Sequence, residues 1–405
     1  TFFAEPVMGA ERNHTRDSLD FAYDSVGKMI TFRNGFRNQL PTRISAIDLC
    51  GGEFSYSTHR AEFLGRHGSY ESPLGLKRVG LSNTIYKGTH NSVALQSVIT
   101  IDPGEEKEIT CLLAESDSVE TLRSVISAYR DSAKRKMEKN AVHDFWKNTL
   151  GAVSIETPDA SLNTLFNHQL LYQVLSSRIW AKTGFYQPSG AFGFRDQLQD
   201  ITAFSWSNPK RVRDFILKAA AHQFKEGDAL NWWHDHNTFG IRTALSDHQL
   251  WLAYAVSEYV KVTGDTSLLQ EKVAYIEGGS VNFSYQKEWA GTPHASQEVG
   301  TIFDHCVRAL DKRLVFGVHG LPLMGMSDWN DGLSRVGIGG RGESVWVAWF
   351  LLYLLALYIP QIEQSGDIER AEKYKNYSNH IQKSIEKNAW DGRWYRRAFL
   401  DSGIA

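Results

Sequence analysis

The chain has 405 residues, 44 Lys and Arg against 46 Asp and Glu, and a formal net charge of -2. That near-neutral balance excludes a dedicated nucleic-acid binder, which carries a basic surplus. With 42% hydrophobic and 22% charged residues the chain is globular and not disordered, and its length predicts two or three domains with ample capacity for a core.

Residues 1–116 read as β. The stretch from His90 to Ile101 is β-branched and alternates in part, Pro103-Gly104-Glu105-Glu106 supplies a turn, and Lys107–Ala114 follows as a partner strand. Strand, turn and strand predict an antiparallel hairpin in a β-sandwich. In 117–152, Leu122, Val125, Ile126 and Tyr129 recur at helical spacing, and a charged run from Lys134 to Lys139 leads to Phe145-Trp146. This segment is predicted to be a helical linker whose charges form a solvated face. After a strand-like Val153–Pro158 the remainder, 153–405, is predicted helical. Helices are expected over 161–181, 196–206, 209–224, 246–262, 297–316, 344–359 and 368–387. Pro209 after Asn208 marks one start, and Ser246-Asp247 is expected to cap another. The uncharged run Val345–Ile359 has 15 residues, below the ~18–20 that span a bilayer, and is closed by Pro360. It reads as a buried core helix. Helices joined by loops rich in Gly, Trp and His predict an (α/α)6 barrel present only in part.

Cys50, Cys111 and Cys306 are odd in number, widely spaced and without a CxxC. Neither a disulfide framework nor a zinc site is expected, and a reducing compartment follows as the default. The first residue is Thr1 and no charged-then-apolar signal segment follows it, which predicts a piece of a longer protein. The aromatics are unusual: 12 Trp, 16 Tyr and 21 Phe exceed what a core needs. Flat rings are what sugar rings stack on.

Three clusters carry chemistry. In Gly190–Asp200, two glycines precede Arg195, a bidentate donor, with Asp196 and Asp200 one helical turn apart on one face. The cluster suits a hydroxyl-rich ligand, or an Arg–Asp pair that caps a helix. In Ala229–His236, Trp232 and Trp233 adjoin His234 and His236; the two histidines lie on a predicted loop without metal-ligand spacing. Sugar stacking or plain packing of one Trp is expected there. In Gly325–Leu333, Asp328 and Asp331 bracket Trp329 and Asn330, and Gly339-Gly-Arg-Gly-Glu-Ser344 then opens the apolar helix. Acid catalysis on a glycosidic bond needs a carboxyl that stays protonated near neutrality, and an aromatic wall and a second carboxylate both favour that form. A structural Asx turn is the alternative.

In this order, GFRDQLQD, WWH and DWND followed by GRGESVW resemble glycoside hydrolase family 94, the inverting β-glucoside phosphorylases, and within it the 1,2-β-oligoglucan phosphorylases and the phosphorylase-like module of cyclic β-1,2-glucan synthases. Thr58–Gly65 resembles the family's N-terminal sandwich, and the likeness runs from about residue 45 to the end. The resemblance implies a β-sandwich, a helical linker and an (α/α)6 barrel. It implies that Asp331 is the general acid, that Asp328 and Trp329 line the donor sugar subsite, that Arg195 and Asp200 hold donor hydroxyls, and that Trp233 and His234 shape the cavity. Arg341 becomes the candidate for phosphate. No base is required, because inorganic phosphate, a co-substrate and not a cofactor, attacks the anomeric carbon and gives α-glucose 1-phosphate; in the usual inverting scheme a carboxylate activates water instead. The implied partners are a β-glucan oligosaccharide, phosphate, and either a second copy or the remainder of a larger chain. That remainder would hold further barrel helices with a His loop and a Thr-Gly loop for phosphate. Ser246-Asp247-His248 has His where relatives often have a second Asp. The implied location is cytoplasmic, or the inner face of a membrane for a synthase module. Two alternatives stand beside this reading: an inverting hydrolase with Asp196 or Glu343 as base, and a non-catalytic glucan-binding piece of a synthase.

Overall fold

Alternation of apolar and polar side chains along the first strands builds two antiparallel sheets. The structure, a computed structural model, describes residues 1–5, 18–35, 43–88, 91–181, 190–235, 238–281 and 287–405. It divides into two units, Thr1–Lys147 and Asn148–Ala405.

In the first unit β1 (Phe2–Ala4), β5 (Ser55–His59) and β6 (Asn91–Gln96) form one sheet, ordered β1-β6-β5. The strands β2 (Leu19–Asp24), β3 (Met29–Asn34), β4 (Ile44–Leu49) and β7 (Cys111–Ser116) form the other, ordered β2-β3-β4-β7. Successive residues point to opposite faces. Ile30 and Ile47 therefore meet Val93 and Leu95 in the sandwich core, while Met29 and Ala46 turn the other way. That outer face is covered by Leu122 and Ile126 of α2 (Val119–Arg130), which follows α1 (Arg60–Leu64). Ile47→Ala in this core would cost about 2–5 kcal/mol. Two Arg–Asp forks also tie α2 to the sheet: Arg123 to Asp24 at 2.8 Å on both arms, and Arg130 to Asp48 at 3.0 Å on both. Next in the chain comes α3 (Ser132–Leu150).

The sandwich is present, but the expected hairpin is not. β6 pairs with β1 and β5, and β7 pairs with β4 in the opposite sheet. The turn at Pro103-Gly104 thus joins two sheets. A strand–turn–strand pattern is local and does not specify which edge each strand joins. His90 lies outside the described residues.

In the second unit, residues 160–180 form a helix of alternating α and π turns, α4. Then come α5 (Phe194–Ile201), α6 (Pro209–Ala220), α7 (Leu250–Thr263), α8 (Ile302–Arg313), α9 (Val345–Gln364) and α10 (Ile368–Ser384). Asn208 caps α6 through the Arg211 N–H at 3.1 Å, with Pro209 in the first position as expected. Three expectations fail. The unit is not wholly helical: β8 (Phe192–Gly193), β9 (Leu230–Trp233), β10 (Gly240–Thr243) and β12 (Glu288–Gly291) form an antiparallel sheet, and β11 (Lys272–Glu277) pairs with β13 (His294–Thr301). As a result α8 starts at Ile302 and not near 297, with Thr301 and Asp304 forming a capping box. Pro360 lies inside α9 and does not end it.

The helix α9 is the one element among the described residues long and apolar enough to cross a membrane. Leu351, Leu354, Leu355 and Tyr358 are nevertheless fully buried in this unit, and the Tyr358 hydroxyl donates to the Ala253 carbonyl at 3.0 Å. These positions, three and four residues apart, form the face that a core helix presents to its neighbours α7 and α10.

Candidate active site

The chain crosses itself in extended pieces at one place in the second unit. Residues 322–327 bond on one side to 244–246, with Met326 N–H to Ala244 O at 3.0 Å and Ser246 N–H to Ser327 O at 3.0 Å. On the other side they bond to β14 (Glu343–Ser344), with Ser344 N–H to Pro322 O at 2.9 Å, and β14 in turn pairs with β15 (Ala398–Phe399). This platform fixes the loop Asp328–Gly332 at the start of α5. Two successive Asx turns shape that loop: Asp328 Oδ1 accepts from Asn330 N–H, and Asn330 Oδ1 accepts from Gly332 N–H, each at 3.0 Å.

Above the loop lies a cleft of about 360 Å³ lined by Arg178, Arg195, Asp196, Gln199, Asp200, Trp329, Asn330, Asp331 and Gly332. Arg195 is its hub. Nη2 donates to Asp331 Oδ1 at 2.6 Å, and Nη1 donates to Asp247 Oδ1 at 3.1 Å and to the Asp328 carbonyl at 3.0 Å. Burial works against the Arg195 charge, but Asp247 and Asp331 outweigh it and hold the guanidinium above its ordinary value. Burial pushes the Asp247 carboxyl up to about 6 against the opposing pull of Arg195 and of the Trp251 N–H bond. Asp200 is also raised by burial, opposed by Arg178, whose Nε donates to it at 2.8 Å. Trp329 is 51% exposed, and its indole N–H donates to Gln199 Oε1 at 3.1 Å, so one flat ring is held at the cleft. The Asp331 side chain is 54% exposed.

Of the residues expected from sequence, Arg195, Asp200, Trp329 and Asp331 converge on this cleft. Asp196, named from the sequence as an alternative base, also lines it, while Asp328, Trp233, His234, Arg341 and Glu343 do not. Arg195 pairs with Asp247 and Asp331, not with its helix neighbours, so the helix-capping alternative fails. Asp328 is 0% exposed and spends its carboxylate on Arg397, Ser344 and the Asx turn, so it is structural and not a sugar ligand. Trp233, 0% exposed, stacks on Phe192 at 5.4 Å and His222 at 3.9 Å, in the core and not on a cavity wall. It sits on a strand, β9, where one of two adjacent tryptophans must point inward. His234 is half-buried, with its ring edge-on to Trp232 at 5.4 Å, and His236 lies outside the described residues. The Arg341 side chain is exposed; its backbone N–H and those of Gly339 and Gly342 all donate to the Asp401 carboxylate, at 2.6–2.8 Å. Glu343 is buried and held by His319 Nδ1 at 2.5 Å and Leu321 N–H at 3.0 Å, which removes it as a candidate base. Asp196 remains in the cleft wall.

Sequence reasoning missed Asp247, Arg178, Gln199 and Arg397. Ser246-Asp247 was expected to cap α7, yet α7 starts at Leu250: the Ser246 hydroxyl donates to Ser327 O, and Asp247 accepts from Arg195 and Trp251. A capping pair and a tertiary anchor use the same residue types, so the sequence carries no signal that separates them. His248, next in line, is buried with its imidazole driven well toward the neutral form by desolvation, and neither ring nitrogen has a hydrogen-bond partner among the described residues. Among the described residues no group of three or more His, Cys, Asp and Glu side chains could hold a metal ion.

A sandwich followed by a helical unit, with three carboxyls, an indole and two guanidiniums around one cleft, suits a protein that handles glycosides. Comparison with protein families agrees: the glycosyl hydrolase 94 supersandwich domain matches residues 1–132 and the glycosyl hydrolase 94 superfamily catalytic domain matches residues 145–405. The chain belongs to the glycosyl hydrolase 94 superfamily, with its supersandwich followed by part of its helical catalytic domain. It is 38% identical over 402 residues to the cyclic beta-(1,2)-glucan synthase NdvB of Rhizobium meliloti (strain 1021), a match that covers 98% of this chain and 14% of that protein. It is 27% identical over 353 residues to a 3-O-beta-D-glucopyranosyl-beta-D-glucuronide phosphorylase of Paenibacillus borealis (86% and 43% covered). A solabiose phosphorylase of the same organism is 29% identical over 364 residues (86% and 42% covered). The chain thus spans less than half the length of these relatives.

Proposed function

We propose that this chain supplies the acid-bearing part of an inverting phosphorylase site that acts on β-1,2-linked glucan. One juxtaposition carries the reading: Asp331, Arg195, Asp200 and Trp329 face a single cleft, with Asp331 and Arg195 in direct contact at 2.6 Å. The linkage rests on the likeness to the cyclic beta-(1,2)-glucan synthase, and phosphate as nucleophile on the two phosphorylases.

The chemistry follows from the residues. The terminal glucose stacks on Trp329, and its hydroxyls bond to Asp200 and to Arg195 Nη2. Engaging Nη2 releases Asp331 to carry a proton. Phosphate attacks the anomeric carbon from the face opposite the leaving group as the glycosidic C–O bond breaks. Asp331 gives its proton to the departing oxygen, which leaves as a free hydroxyl on the shortened glucan. The new C–O–P bond has inverted geometry, and the phosphate ester returns a proton to Asp331. A positioned acid of this kind is worth roughly 10²–10⁴-fold in rate.

The test uses the full-length protein that contains this segment, with a β-1,2-linked oligoglucan. With phosphate present, α-glucose 1-phosphate appears, and without phosphate no sugar is released. Equal sugar release in phosphate-free buffer would replace this reading with hydrolysis, for which Asp196 is the available base. No release under either condition, with glucan still bound, would leave a binding module.

A further inference from the structure

Asp328 fastens the N-terminal end of the Trp329–Asp331 loop to the rest of the unit. Its carboxylate meets the guanidinium of Arg397 as two parallel bonds, Nη2 to Oδ1 at 2.6 Å and Nη1 to Oδ2 at 2.7 Å. The Ser344 hydroxyl donates to Oδ2 at 2.6 Å, while Ser344 Oγ itself caps α9 by accepting from Val347 N–H at 3.0 Å. Arg397 is itself anchored, since its carbonyl accepts from Val345 N–H at 3.3 Å beside the β14–β15 pair. The main-chain carbonyl of Asp328 meanwhile accepts from Arg195 Nη1 at 3.0 Å. One residue therefore touches Arg397 with its side chain and Arg195 with its backbone, and the next three residues are Trp329, Asn330 and Asp331. Arg397 does not line the cleft, and 41% of its side chain is exposed.

We infer that Arg397 is a positioning residue for the cleft, acting through the Asp328 carboxylate to aim the Asp328 carbonyl at Arg195 and to set the reach of Trp329 and Asp331. A planar fork fixes the carboxylate in rotation as well as in distance, which a single ammonium does not. Without the fork the carboxylate turns about Ser344, and the carbonyl on the same residue turns with it. In its catalytic consequence the inference rests on Asp331 being the acid; in its structural consequence it does not.

The experiment separates the two. The full-length protein is labelled with 5-fluorotryptophan, and the Trp329 resonance is identified by its loss in Trp329→Phe. Arg397→Lys keeps a positive charge beside the buried carboxylate, so the unit stays folded. The variant is expected to shift or split the Trp329 line while the other tryptophan lines stay in place. Its turnover should fall about 10-fold or more with glucan KM changed much less, the mark of misplacement near the chemistry. Guanidinium ion added at sub-denaturing concentration to Arg397→Ala should restore both the line and the turnover. An unchanged Trp329 line in Arg397→Lys overturns the inference, and so does a loss of turnover accompanied by movement of all tryptophan lines and no response to guanidinium. If the wild-type protein performs no phosphorolysis, the proposed function fails, and the fluorine line alone decides the role of Arg397.

Discussion

The molecule uses buried arginine–aspartate contacts in both units, and the two kinds differ. In the sandwich unit Arg130 forks onto Asp48, whose side chain is fully buried, and its Nη2 also donates to the Gly27 and Lys28 carbonyls at 2.8 and 3.0 Å. That pair is closed. In the helical unit Arg195 is equally well bonded, but one of its carboxylates, Asp331, is open to the cleft. A closed pair holds structure, since removing one partner strands a buried charge. An open pair can exchange a partner for a ligand. Exposure of the carboxylate to a cleft, and not the presence of the pair, separates site from scaffold: the Asp331 side chain is 54% exposed, while those of Asp48 and Asp328 are fully buried.

That contrast breaks or holds under substitution. The largest effect belongs to the open pair. Asp331→Asn is expected to lower phosphorolysis by roughly 10²–10⁴-fold with glucan binding and melting temperature little changed, measured by initial rates, calorimetry and thermal unfolding. The closed pair should behave in the opposite way: Arg130→Ala, which leaves the fully buried Asp48 carboxylate unpaired, should destabilise the sandwich unit by about 3–5 kcal/mol in urea unfolding while turnover of the folded fraction stays at the wild-type level. Trp329→Ala should weaken glucan binding about tenfold, the ~1.4 kcal/mol expected of one exposed aromatic anchor, with melting unchanged.

A further effect is a pH dependence. Asp247 holds its proton more tightly folded than unfolded, because burial raises it from 3.8 to about 6. As pH rises the unfolded chain therefore ionises first. The stability that protonated Asp247 contributes is complete below 3.8 and is lost as pH rises through about 6. Asp247→Asn should flatten the melting-temperature profile across that window. An Asn variant that keeps the wild-type slope would assign the dependence to another group.

The sequence made one half of the site readable. Arg195, Asp200, Trp329 and Asp331 sit in short local motifs whose residue types announce polar and aromatic contacts, and they do converge. Trp233 looked the same on paper, yet β9 turns it into the core, because a strand's alternation decides which of two neighbouring rings faces inward. The roles of Arg397 and Asp247 were not readable. Each is an ordinary charged residue whose meaning comes from a partner distant in the chain, Asp328 and Arg195 respectively, and no local pattern specifies a long-range partner. The misassigned hairpin has the same cause: the strand character of 91–96 and 111–116 was legible, but the edges they join were not.

The proton-donor role of Asp331 is tested most directly by changing how much the leaving group needs a proton. Wild type and Asp331→Asn, as full-length protein with phosphate, would be compared on β-1,2-glucan and on 2,4-dinitrophenyl β-glucoside, whose leaving group departs as a stable anion. Asp331→Asn is expected to be crippled on the glucan and close to wild type on the aryl glucoside. Equal losses on the two substrates, or no loss on the glucan, would contradict it.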